Sequence, residues 1–199
     1  MTFFEKLRIP PLLGLFLLLG GVGAGVYLTL QNQTLVSQAS PSEIPKNIII
    51  SNITDQSASI SWQTDSPVTG FLTFGTTSPT GQTVIDERED IPTPRITHFV
   101  NLFNLSPETL YQFKIFSGKS NSIGQFTSAK TSSPNGLKPI IGSVLDGNQA
   151  LSNGIIFLDI TGVTVQAAAL KNLGNFIIPI SEVRKKDPSG VLTPELGSS

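Results

Sequence analysis

The chain has 199 residues, 39% hydrophobic and only 14% charged, against about 25% charged in an ordinary globular chain. A formal net charge of −1 offers no basic field for nucleic acid. With no Cys and a single His, the chain excludes disulfides, Cys-type zinc sites, thiol catalysis and any site needing two imidazoles. Its 18 Gly, 14 Pro and 41 Ser plus Thr supply turn chemistry suited to many short strands rather than to long charged helices.

Residues 1–11 carry Glu5, Lys6 and Arg8, and no further charge appears until Glu43. Within that gap, residues 12–30 (LLGLFLLLGGVGAGVYLTL) are apolar apart from Thr29. Nineteen helical residues span about 28 Å, which matches the ~30 Å hydrocarbon core of a bilayer. Pro10 and Pro11 suit a first helical turn. Lys6 and Arg8 predict a cytoplasmic N-terminus, a single-pass cell-membrane anchor at 12–30, and an extracytoplasmic remainder. The alternative is a cleaved signal peptide, for which Ser37-Gln38-Ala39 supplies the small-residue pattern. The apolar run is longer than the usual h-region of about 7–15 residues, which favours the anchor. Gly21 and Gly25 have the spacing that lets two such helices approach, and equally suit an ordinary Gly-rich span. Residues 31–45 read as a polar, Pro-containing linker.

From Ile48 the period changes to two. Ile48–Ile50 leads to the turn Thr54-Asp55-Gln56, after which Ala58, Ile60 and Trp62 alternate with Ser57, Ser59, Ser61 and Gln63. That alternation predicts a half-buried antiparallel strand, broken at Asp65-Ser66-Pro67. Strands are also expected over 70–75 and, more weakly, 82–85, followed by a charged loop, Asp86-Glu87-Arg88-Glu89-Asp90. His98, Val100 and Leu102 alternate, the chain turns at 105–109, and Tyr111, Phe113 and Ile115 alternate again. A hairpin loop over 117–121 leads into a last strand over 123–130. Short runs at this spacing argue for two packed sheets.

The residues Ile60-Ser61-Trp62, Phe74–Ser78 and His98–Ile115 resemble a fibronectin type III domain over 46–132, of the variety found before metallophosphatase domains and in bacterial surface proteins. The resemblance makes Trp62 the core Trp of the second strand, and Leu105, Pro107, Thr109 and Tyr111 a tyrosine corner. It implies spacer and binding roles and brings no catalytic residue and no cofactor. From 139 to 186 a second β unit follows, with strand-like runs at 141–145, 154–161, 164–169 and 176–180. Gly142-Ser143-Val144, GIIFLDI and Gly174-Asn175-Phe176 are similar to prealbumin-like, carboxypeptidase regulatory-like modules. That implies a second sandwich, incomplete because such a fold needs about 100 residues. Residues 187–199 read as a tail.

His98 is the lone residue that titrates near neutrality and reads as a packed strand residue rather than a general base. The carboxylates of 86–90 read as a solvated loop rather than a Ca²⁺ site, with Arg88 in their midst. Phe71, Phe99, Phe103 and Phe116 fall off the core pattern and predict an exposed apolar patch. Asn32, Asn52 and Asn104 begin Asn-x-Ser/Thr sequons. The expected fold class is all-β behind a transmembrane helix. The expected function is non-catalytic display of β-sandwich modules, adhesion or cell-envelope in type, toward an unknown protein or glycan. The alternative is a non-catalytic accessory segment of a secreted or surface hydrolase such as a metallophosphatase.

Overall fold

A computed structural model describes residues 41–88, 91, 93–186 and 190–192. The predicted anchor at 12–30, the n-region and the linker up to residue 40 lie outside them, as does most of the tail. Among the described residues no helix is long and apolar enough to cross a membrane.

The first β unit is a two-sheet sandwich. Strands β1 (Lys46–Ser51), β2 (Ala58–Val68) and β5 (Arg95–Leu102) form an antiparallel sheet in the order β1-β2-β5. Strands β3 (Gly70–Gly75), β4 (Gln82–Ile85), β6 (Leu110–Ser117) and β7 (Ser120–Thr127) form the other, in the order β4-β3-β6-β7. Because strand side chains alternate, each sheet sends one set inward. Ala58, Ile60, Trp62, Val100 and Leu102 from one side meet Leu72, Phe74, Tyr111, Phe113, Ile115 and Phe126 from the other. Trp62 is fully buried, and its ring stacks on His98 at 4.7 Å between centroids, inclined by 7°. Gly70 makes that stack possible, since a Cβ there would lie 2.8 Å from Cζ2 of Trp62 and 2.9 Å from Nδ1 of His98.

Three local expectations change. Strand β2 runs on through Pro67, with its register against β5 shifting between Gln63 and Val68. An irregularity of that kind is where a strand tolerates a residue lacking an N–H. The loop expected at 117–121 tightens to Gly118 and Lys119, because Ser117 already pairs with Ser120. The domain also begins before 46. Pro41–Glu43 forms a 3-10 turn, and the Glu43 carboxylate accepts the Lys119 N–H at 2.7 Å.

The described part of the second β unit belongs to the same compact body as the sandwich. Its described strands pair two by two: β8 (Ile140–Ser143) with β13 (Asn175–Ile178), β9 (Leu145–Asp146) with β10 (Gln149–Ala150), and β11 (Ile155–Leu158) with β12 (Gln166–Ala169). Its described strands are two to four residues long, and a lone two-stranded ribbon is marginal in water. The unit is instead built against the first one. It also continues past 186, since Val191 bridges Arg184 and the Leu192 N–H donates to Val183 O at 2.9 Å. Several apolar side chains of these ribbons stay exposed, Ile141 to 70% and Ile177 to 59%.

Candidate functional site

The tyrosine corner forms where the sequence placed it. The hydroxyl of Tyr111 accepts the Ser106 N–H at 2.8 Å, closing the turn between β5 and β6. Leu105 is buried below the turn. The Thr109 hydroxyl donates to Pro107 O at 2.8 Å, and the Thr109 N–H donates to Ser128 Oγ at 2.9 Å. Trp62 lies deep in the core, its Nε1 without an acceptor among the described residues. Trp62, Leu105 and Tyr111 are buried in the core, while Pro107 and Thr109 shape the turn above it.

His98 is buried, stacked on Trp62, with Nε2 3.0 Å from Arg95 O. Burial pushes its pKa below the ordinary histidine value, with the nearby Asp86 charge opposing only in part. Enclosed and stacked in this way, the imidazole packs as part of the core.

The charged loop departs from its solvated reading. Asp86 is buried. Its carboxylate accepts the Phe99 N–H at 2.9 Å, the Arg88 N–H at 3.1 Å and the Arg88 guanidinium at 2.6 and 2.8 Å. Arg88 also donates to Thr97 O at 2.6 Å and to Asn153 of the second unit at 3.1 Å. Burial alone would raise the Asp86 pKa. The Arg88 hydrogen bonds and charge, with the Phe99 and Arg88 backbone N–H groups, outweigh it and hold the carboxyl below its usual value. Glu87, bonded to Asn101, is shifted the other way by burial, which the Lys171 charge offsets in part. Glu89 and Asp90 lie outside the described residues. Among the described residues, no group of three or more metal-ligating side chains gathers.

The expected aromatic patch divides. Phe71 and Phe116 form a cross-strand pair on the outer face of the four-stranded sheet. They stack at 4.6 Å with partial exposure, and Lys114 Nζ lies 4.8 Å from the Phe116 ring centre. Phe103 is 60% exposed. Phe99 is not part of the patch, being only 2% exposed. It points away from the sandwich core, but Ala167, Ala169 and Ile155 of the second unit pack over it. The outer face of β1-β2-β5 is therefore covered, which is why Ser59 and Ser61 are buried as well.

Asn52 fastens this covering and was missed as anything but a sequon. Its Nδ2 donates to Ala167 O and to Ser59 Oγ, each at 2.8 Å, and its Oδ1 accepts the Ala167 N–H at 2.8 Å. Its own N–H donates to Val165 O at 3.0 Å. One side chain thus reads both backbone groups of Ala167 as a third strand would. Asn52 has φ of 51°, a left-handed conformation that Asn tolerates better than other non-Gly residues. A polar Asn just past a strand is the available sequence signal. Its amide is occupied, while the sequon residue Asn104 is exposed. The Asp55–Arg184 ion pair, at 3.2 Å, closes the seam further on.

The fold defines an all-β, Greek-key-type sandwich with a docked β appendage. Residues 43–133 match the family model of the fibronectin type III domain, and this segment is a fibronectin type III domain. Among solved structures, the chain is similar to a computationally redesigned β-sandwich protein at 28% identity, covering 43% of this chain and 94% of that one, with a TM-score of 0.34. It is similar to the sensor domain of the anti-sigma factor RsgI4 of Pseudobacteroides cellulosolvens at 24% identity, covering 47% and 100%, with a TM-score of 0.35. Chicken CNTN1 FN1–FN3 domains follow at 14% identity, 72% and 66% coverage and a TM-score of 0.35. No curated protein matches the chain.

Proposed function

We propose that this is a single-pass membrane protein that displays a fibronectin type III domain and its docked β unit outside the cytoplasm, as a non-catalytic binding or spacing module. The carrying observation is the Phe71–Phe116 stack with Lys114 above it. It lies on an outer sheet face, whereas Phe99 on the other sheet is covered. An exposed aromatic pair beside a cation suits a protein or glycan ligand, since rings offer large contact area at low entropic cost. The apolar run 12–30 with Lys6 and Arg8 before it supports the anchor. The enclosure of the single imidazole supports a role without acid–base turnover.

Protease added to intact cells expressing the full chain should cleave within 46–132, while a cytoplasmic control protein stays whole. Full protection of that region, with an extracytoplasmic control digested, would refute the orientation. On the same cells, Phe71→Ser/Phe116→Ser should reduce capture of labelled cell-envelope fragments at equal surface level. Unchanged capture would remove this face from the proposal.

A further inference from the structure

We propose that two copies of this chain pair edge to edge along β8 (Ile140–Ser143), about a two-fold axis at Gly142. Strand β8 lies at the edge of its two-stranded sheet, with β13 on one side and no described strand on the other. Exposed sheet edges are ordinarily guarded by a charge, a proline or a bulge. Ile140-Ile141-Gly142-Ser143 contains none of these, and all but Gly142 are exposed.

The register shows which backbone groups face outward. The Val144 N–H donates to Gly174 O at 3.0 Å, and antiparallel pairs alternate between bonded and non-bonded. Counting back, Gly142–Phe176 and Ile140–Ile178 exchange the ladder bonds, while Ile141–Ile177 and Ser143–Asn175 do not. The N–H and C=O of Ile141 and of Ser143 therefore point away from β13, and none has a partner among the described residues. Such a row is a template for a further strand.

The template is self-complementary. An antiparallel second copy centred on Gly142 sets Ile141 opposite Ser143 of the copy, and Ser143 opposite Ile141 of the copy. All the outward groups are then satisfied in bonded pairs, related by the two-fold of an isologous interface. A two-fold at Ile141 would instead set Ser143 against Pro139, which has no N–H to give. Carried beyond the strand, the Gly142-centred register brings Lys138 to Asp146 of the copy, on both sides of the axis. Neither residue has an ion-pair partner among the described residues, and no charge lies between them in the sequence. Ile141 and Ile177, a direct cross-strand pair exposed to solvent, would join their counterparts on one sheet face.

The test is sedimentation equilibrium of the full chain in detergent over a concentration series, where a monomer–dimer equilibrium is expected. Ser143→Pro removes an N–H that β13 does not use. It should weaken dimerisation about tenfold, since half of the pairing bonds at the axis are lost. Lys138→Glu should weaken it too, and adding Asp146→Lys should restore it, which a local effect on folding would not do. Circular dichroism confirms the fold of each variant, and if Ser143→Pro fails to fold, the charge swap decides. Because the chain has no Cys, Ile141→Cys mixed with Ser143→Cys reads the register. Facing bonded residues sit about 5.5 Å apart at Cα, within disulfide reach, so mild oxidation should link the two variants to each other faster than either to itself. A monomer at every concentration, a dimer indifferent to Ser143→Pro, no recovery in the charge swap, or links that ignore the 141–143 pairing would each overturn the proposal.

Discussion

Replacing Asn52 by Ala should loosen the second unit while leaving the sandwich folded. The side chain supplies partners for the N–H and the C=O of Ala167, a residue 2% exposed. Orphaning a buried backbone group costs about 1–3 kcal/mol, so two give about 2–6. Forcing Ala into the left-handed region at φ of 51° adds about 1–2 kcal/mol. The loss is capped, because water reaches Ala167 once the seam opens, so about 2–4 kcal/mol should register locally. That is about a 30- to 700-fold acceleration of amide exchange. Hydrogen-exchange mass spectrometry of the full chain reads this directly in peptides covering 163–170. The single Trp62, buried in the sandwich core, reports the first domain by fluorescence in the same urea series. Its midpoint should move far less than the exchange at 163–170. Asn52→Gly removes the side chain without the backbone strain and should recover about 1 kcal/mol of the loss. Exchange at 163–170 within about twofold of wild type in the Ala variant would refute the reasoning.

Trp62→Ala should cost about 3–5 kcal/mol by circular dichroism, since it empties a fully buried site; a change under about 0.5 kcal/mol would place the ring outside the core's energetics. Acid should weaken the fold in two stages. His98 has a folded pKa depressed by burial, so its contribution is present above the unfolded value of about 6.5 and is lost as pH falls through the folded one. Asp86, also depressed, loses its contribution at lower pH still, beginning near its unfolded value of about 4. Glu87 is raised, so acidification favours its folded form and blunts the second stage. Urea midpoints should therefore fall between about pH 7 and 5 in wild type and stay flatter in His98→Gln; identical slopes would exclude the imidazole as the cause.

Much of the sandwich was legible because its strands obey a two-residue period with turn residues between them. Tyr111, Phe113 and Ile115 carry their inward direction in the sequence itself, and the spacing from Leu105 to Tyr111 encodes a turn that folds locally. Phe99 and Ser59 were misread for a common reason. Alternation tells which side chains share a face, and says nothing of whether that face meets water. Here β12 and neighbouring backbone, more than 60 positions downstream, cover it. The ribbons of the second unit are too short to show a period, so only their approximate positions could be read. The burial of Arg184 has no local signal, since its ion-pair partner Asp55 lies 129 positions away.

The grip of Asn52 on Ala167 has a consequence for how this joint can evolve. It recognises a peptide group, which every residue at 167 except proline would present alike. Drift at 165 or 167 is therefore restrained only by the volume available beneath the seam, whereas position 52 must keep an amide-bearing side chain on a left-handed backbone. Pairwise covariation between the two segments should be nearly silent although they are hydrogen-bonded. A saturation scan should instead show position 52 selecting for an amide and position 167 selecting only for small size.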